Sequence, residues 1–247
     1  MFGKPWHWQA CADRMAPSWR ILNPVLPLLE IKADSRAIIT LGDHVVRSMD
    51  AAGMDRAVLA GNSLGGHIAA RMALHHPDRV SGLVLTGSSG LFERGISTIP
   101  RRPTAPWIRL KMGEVFHDTV HVTDELVTEM FEFLSNMRRV LQMVRIARCA
   151  KRDVLRDLLP GINCPVQLIW GEYDEVTPPA VGQEFHELLP NSELHMIKQC
   201  GHVAMVERPE IFNDLVAPFL ARITAKRPFP APEQPAITES FFEPVCA

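Results

Sequence analysis

The sequence predicts an α/β architecture, a mostly parallel sheet flanked by helices, and three observations carry that expectation. Apolar segments of strand length recur from residue 57 up to the glycine-rich motif at Gly61, and at residues 80–86, 164–174 and 192–202. Stretches of helical periodicity lie between them, the alternation that parallel strands joined by crossover helices require. The first of these strands runs directly into G-N-S-L-G, Gly61 to Gly65, and a helix-compatible H-I-A-A-R-M-A-L-H-H follows.

Taken in order, residues 19–29, W-R-I-L-N-P-V-L-P-L-L, are expected to start as a strand and to pass into an extended loop at Pro24 and Pro27, which fix φ and remove ladder donors. Residues 35–52 place Ile38, Leu41, Val45, Val46 and Met49 on one face of a helix, and Gly53 stops it. The elbow strand, its helix and the strand 80–86 come next. Between Gly90 and Leu159 the composition shifts: I-P-R-R-P-T-A-P-W-I-R-L-K-M leads into helices near residues 124–134 and 137–159. C-P-V-Q-L-I-W-G-E-Y-D and S-E-L-H-M-I-K-Q-C-G-H are two further strands, each with its following loop. After Arg222 the run K-R-P-F-P-A-P-E-Q-P-A is too rich in proline to pack and is expected to be disordered. The expected organisation is a core over 1–89 and 160–222, a helical insertion over 90–159 and a tail over 223–247.

Composition narrows the class. The 247 residues, 47% hydrophobic and 22% charged, suit one globular domain with a large core. A formal charge of −2 offers no electrostatic case for nucleic acid or an anionic membrane as partner. Cys11, Cys149, Cys164, Cys200 and Cys246 are odd in number and scattered, forming neither a disulfide framework nor a zinc spacing. With no secretory signal and no apolar run long enough to span a bilayer, a cytoplasmic location is expected.

The chemistry is concentrated at Ser63. G-x-S-x-G after a buried strand is a nucleophile elbow, a sharp turn that lifts a hydroxyl above the sheet; Gly61 and Gly65 tolerate the crowding and Ser63 takes the strain. Serine alone is a poor nucleophile, so a base and an orienting acid must follow, in the order Ser, Asp, His. Asp174 stands just beyond the strand that ends at Gly171, with Glu172 and Glu175 as rival acids, and His202 follows Gly201. Parallel strands deliver their following loops to one sheet edge, where the three converge. His75 and His76, at a helix end, are expected to be solvated or structural, and Cys200 to be buried without a catalytic role.

Through G-N-S-L-G-G, W-G-E-Y-D-E-V-T-P-P and Q-C-G-H-V-A-M-V-E-R-P-E-I-F-N the chain resembles the α/β-hydrolase superfamily over about residues 19–222. The wording is closest to hydrolases that open ring-cleavage products at a carbon–carbon bond. The resemblance implies acyl transfer, with Ser63 as nucleophile, His202 as base, Asp174 as orienting acid and the Leu64 N–H as one oxyanion donor. The second donor comes, in the superfamily, from a loop that a His-Gly pair introduces. M-F-G-K-P-W-H-W-Q-A resembles the continuation of that loop, which leaves Met1, Phe2 and Gly3 as candidates, Phe2 foremost, and implies that N-terminal strands are missing. Either the natural start lies upstream, or the strands at 19 and 57 pair directly.

The resemblance also makes residues 90–159 a helical cap over the site. Met112, Phe116, Met130, Phe131, Phe133 and Met143 either line an apolar pocket there or are plain core; Arg101, Arg102 and Arg109 either bind a substrate carboxylate or form a solvated face. The carbon–carbon bond hydrolases carry Trp after the catalytic His and Arg in the cap, where this chain has Val203 and, by position, Met130. The reading preferred from sequence is therefore a hydrolase of small carboxylic esters. The alternatives are a carbon–carbon bond hydrolase of ring-cleavage dienoates, or an inactive fragment or small-molecule binder of the same fold. Dehalogenase and epoxide-hydrolase chemistry would need Asp where Ser63 stands. No metal or organic cofactor is implied.

Overall fold

The computed structural model describes residues 5–93 and 103–226. A short 3-10 turn, Pro5–Trp8, leads into α1 (Gln9–Met15), followed by α2 (Ala37–Ala51), β1 (Ala57–Asn62), α3 (Leu64–His75) and β2 (Val80–Thr86). The insertion then contributes α4 (Ala105–Gly113), α5 (Asp124–Ser135) and α6 (Met137–Arg152). The chain returns through β3 (Val166–Gly171), α7 (Pro179–Leu188), β4 (Ser192–Ile197), α8 (Ala204–Glu207) and α9 (Pro209–Lys226).

The four strands form one parallel sheet in the order β1-β2-β3-β4, with Gly61 opposite Leu85, Leu85 opposite Leu168 and Leu168 opposite Leu194. Because successive side chains point to opposite faces, β2 and β3 are divided between two hydrophobic clusters. Leu83, Leu85, Leu168 and Trp170 join Ile38, Leu41, Met49, Ile68 and Met72 of α2 and α3 and Phe185 of α7. Val84 and Ile169 join Phe212, Val216, Phe219 and Ile223 of α9 and Met15 of α1. The two central strands are buried almost throughout, whereas the edge strands β1 and β4 are only partly covered. Double-sided burial therefore holds for the middle of the sheet alone.

The first thirty residues depart from the sequence expectation. No strand forms over residues 19–29. Pro24 and Pro27 supply no N–H, and the neighbouring backbone closes on itself, with Leu28 N–H donating to Leu26 O at 2.8 Å and Glu30 N–H to Pro27 O at 3.1 Å. Leu22, Leu26 and Leu28 still pack against the core. Among the described residues β1 pairs with β2 alone, so the direct pairing of strands at 19 and 57 is not made. Residues 5–15, part of which read as loop, are helical: Trp8 packs edge-on against Phe212, Asn213 Nδ2 donates to Ala10 O at 3.1 Å, and Met15 is buried.

Each helix of the insertion begins at a side-chain cap: Thr104 accepts from Trp107 N–H, Thr123 from Leu126 N–H and Asn136 from Arg139 N–H. Ile108, Met112, Phe116, Val127, Met130, Leu134 and Val140 are buried in the cluster that also holds Ile197 and Val203 of the core. Helix α6 stops at Arg152, short of the expected 159, because Asp153 turns its carboxylate onto His67 and Arg71 of α3 and Leu155 N–H donates to Gly90 O at 2.7 Å. Among the described residues no helix is long and apolar enough to cross a membrane.

Candidate active site

Three strand ends build the site. At the end of β1, Ser63 takes φ 53° and ψ −118°, a conformation non-glycine residues rarely occupy. A Cβ at Gly61 would run into the backbone of Gly65 and Gly66, which is why the tight turn needs glycine there. The turn is held on both sides: Ser63 N–H donates to Thr86 O at 3.1 Å, and Ser63 O accepts from His67 N–H at 3.2 Å and Ser89 N–H at 3.1 Å. Leu64 is the first residue of α3, so its N–H is among the donors that a helix start leaves without an intrahelical acceptor. Phe2, the other oxyanion candidate, lies outside the described residues, as do Met1 and Gly3.

Beyond β3, Asp174 is fixed by three donors of its own loop. Oδ1 accepts from Val176 N–H at 2.9 Å and Thr177 N–H at 2.8 Å, and Oδ2 from Thr177 Oγ1 at 2.9 Å. Oδ2 also meets His202 Nδ1 at 2.8 Å, with the two side chains 0% and 1% exposed. Glu172 and Glu175, the rival acids, are both exposed. A carboxylate only accepts, so the partner assigns the proton of a neutral His202 to Nδ1 and leaves the lone pair on Nε2. That Nε2 is buried and without a hydrogen-bond partner. The structure thus joins Asp174 to His202 and sets Ser63 at the end of β1, two strands from β3, with no hydrogen bond from the Ser63 hydroxyl to Nε2.

The backbone of His202 is anchored as firmly as its ring. Its N–H donates to Val115 O at 2.8 Å, and its carbonyl accepts from Asn62 Nδ2 at 2.9 Å, an amide that also donates to Thr86 O at 3.0 Å. Gly87, at φ 48°, lies against the pair: a Cβ there would sit 2.8 Å from His202 Nδ1 and 3.0 Å from Asp174 Oδ2. Asn62, Gly87 and Thr177 escaped the sequence reading. Only Asn62 had a visible signal, its place next to Ser63 in the elbow motif; the others declare themselves once strands far apart in sequence are adjacent.

Burial pushes the Glu93 carboxyl up from its ordinary range, an effect that the nearby His67 and His202 partly oppose. Burial likewise pushes the Cys200 thiol up to about 12, which keeps it a thiol at neutral pH. Of the arginines considered for a substrate carboxylate, Arg109 is exposed and engaged with Asp124 and with Val122 O, and Arg101 and Arg102 lie outside the described residues. Met130 is buried apolar core, as are Met112 and Phe116; Phe133 and Met143 are half-buried and Phe131 is exposed. Among the described residues no three His, Cys, Asp or Glu side chains gather closely enough to hold a metal ion.

Residues 4–215 match the model of a family described as the alpha/beta hydrolase family. The chain belongs to that family. This alpha/beta hydrolase is 31% identical over 241 residues to the uncharacterized hydrolase YugF of Bacillus subtilis (strain 168), an alignment covering 85% of this chain and 88% of that one. It is 33% identical over 190 residues to a 2-hydroxy-6-oxononadienedioate/2-hydroxy-6-oxononatrienedioate hydrolase of Pseudomonas sp, covering 70% of this chain and 66% of the relative. Among solved structures, Est816, described as an N-acyl homoserine lactone degrading enzyme, superposes on the hydrolase with a TM-score of 0.62 at 29% identity, covering 77% of each chain.

Proposed function

We propose that this hydrolase cleaves a small, uncharged carboxylic ester through an acyl-enzyme on Ser63. The observation that carries the reading is the buried Asp174–His202 pair beside a strained serine at the end of β1, with Nε2 unclaimed. The bond from the serine hydroxyl to Nε2 is not formed in this structure, and such bonds are often unformed without substrate. In the reaction Nε2 takes the hydroxyl proton as Oγ attacks the ester carbonyl, and Asp174 stays ionised while it stabilises the imidazolium. The Leu64 N–H meets the developing oxyanion. His202 then protonates the departing alcohol, and a water activated by the same nitrogen releases the acid. Residues 90–159 would act as the cap that shields this chemistry and shapes the pocket.

Substrate charge separates this reading from its rival. The Pseudomonas relative is named for a dienedioate, a substrate with two carboxylates, and that name favours carbon–carbon bond hydrolysis as the second reading. An anionic substrate calls for a cation inside the pocket. In the described part of the insertion every arginine is exposed, and the buried side chains of its helices are apolar. Glu93, near enough to His202 to feel its charge, is an acid and supplies no positive partner for a dicarboxylate. The similarity to Est816 points the same way, since a lactone is a cyclic ester.

The test has two stages. Intact mass after exposure to a fluorophosphonate is expected to show one adduct on the parent and none on Ser63→Ala; a folded parent that stays unlabelled would overturn the serine-hydrolase reading. Short-chain p-nitrophenyl esters and a 2-hydroxy-6-oxo-dienoate are then compared by kcat/KM. Faster turnover of the dienoate would replace the ester reading with the second one.

A further inference from the structure

One buried carboxyl group near the site has no part in the acyl-transfer steps above. Glu207, the last residue of α8, is 3% exposed. Its Oε1 accepts from Gly201 N–H at 2.7 Å, and its Oε2 accepts from His117 N–H at 2.9 Å and Asp118 N–H at 3.1 Å. Gly201 immediately precedes His202, while His117 and Asp118 belong to the insertion, just after α4. The same two segments meet again through the His202 N–H bond to Val115 O, and the insertion also touches the loop after β3, where the His117 ring stacks on Tyr173, centroids 4.2 Å apart, beside Asp174. A Cβ at Gly201 would fall 2.7 Å from His117 N and Val115 O and 2.8 Å from Glu207 Oε1, so the segments are in direct contact at this point.

We infer that Glu207 is a positioning residue that locks the loop carrying His202 to the entry of the helical insertion, so that base and insertion hold one register over Ser63. The inference rests on the reading of His202 as the base. Three backbone donors converge on the two oxygens of a side chain that is 3% exposed, and buried backbone N–H groups are costly to leave unpaired. Separation would shift the His202 peptide away from Val115 and carry Nε2 out of line with the serine. Base alignment is sensitive to such shifts, since a misplacement of about 1 Å costs on the order of a hundredfold in rate.

The experiment compares Glu207→Gln and Gly201→Ala with the parent, and with Ile38→Val, a core change on α2 remote from the site. Glutamine has the shape of glutamate but replaces one acceptor by an NH2 donor, so it must release either Gly201 or the 117–118 pair. The alanine methyl forces the same seam open from within. Each variant is assayed well below its melting temperature, with the folded fraction read by circular dichroism and rates given per folded molecule. The expected result is a fall of about tenfold or more in kcat, with KM within about twofold, in both seam variants, and a matching fall in the rate of fluorophosphonate labelling, while Ile38→Val keeps the parent kcat. Parent-like kcat and labelling in a folded Glu207→Gln would overturn the inference while leaving the serine-hydrolase reading intact. A parent that is itself unlabelled would overturn both. If Glu207→Gln does not fold, Gly201→Ala decides: a selective loss of kcat supports the inference and a parent-like kcat refutes it.

Discussion

Replacing Gly87 by alanine tests whether the Asp174–His202 pair is held as tightly as it looks. The added methyl would lie 2.8 Å from His202 Nδ1 and 3.0 Å from Asp174 Oδ2, about half an ångström inside ordinary contact with a ring that Asp174 holds, on a backbone that Val115 O holds. Two costs add. Alanine at φ 48° loses about 1 kcal/mol against glycine, which in a domain of this size lowers the melting temperature by about 2–4 °C. The ring must also move by about half an ångström, from which a fall in kcat of about tenfold follows when a full 1 Å misplacement costs about a hundredfold. Steady-state hydrolysis of a p-nitrophenyl ester and a thermal melt measure both. Gly113→Ala, where a Cβ meets nothing within 4 Å, is the control and should leave both unchanged. A Gly87→Ala protein within twofold of the parent kcat would show that the pair has slack, and the reasoning from close contact would fail.

Asp174→Asn keeps the size of the side chain and an acceptor for Val176 and Thr177 N–H, but turns an amide donor toward Nδ1 and so favours the wrong imidazole tautomer. A loss of about 10⁴ in kcat is expected, and a loss under tenfold in the ester assay would remove Asp174 from the orienting role. Asp153 carries a pH signature. Burial raises its pKa, but hydrogen bonds and charge from His67 and Arg71 outweigh burial and hold the carboxyl well below the usual carboxylate range. A depressed pKa stabilises the fold above the unfolded value, about 3.9, and the contribution is lost as pH falls toward the folded value. Asp153→Asn should therefore melt several degrees below the parent at pH 7, with the gap narrowing below about pH 4; a gap independent of pH would contradict the assignment.

What the sequence disclosed, and what it did not, follows from the range of the forces involved. The span 80–86 matches β2 at both ends, and the elbow, the strand before Asp174 and the strand before His202 are all where local pattern put them, because an apolar run and a glycine-marked turn are local facts. The stretch after Trp19 misled because its β-like opening residues are overruled by Pro24 and Pro27 a few positions on. Residues 5–10 misled because the likeness of M-F-G-K-P-W-H-W-Q-A to a loop outweighed the start of the helix-forming Q-A-C-A-D-R-M, which Trp8 on Phe212 and Ala10 on Asn213 tie to residues two hundred positions away. Glu207 was visible as the E of C-G-H-V-A-M-V-E, yet nothing local reveals that its partners are Gly201 on one side and His117 and Asp118 on the other. Long-range juxtaposition of that kind leaves no periodicity to read.

The insertion is riveted to the core near each end: by Val115, His117 and Asp118 on the loop before His202 and on Glu207, and by Asp153 and Leu155 on His67, Arg71 and Gly90. Between those rivets, α5 and α6 add the Gln142 bonds to Leu28 and Ile31 and apolar packing. That layout makes the helical hairpin an exchangeable module on a fixed chassis. A designer seeking a new substrate range would cut after residue 118 and rejoin before 153, keep both rivets, and graft foreign helices between them, leaving the loops that carry Ser63, Asp174 and His202 untouched.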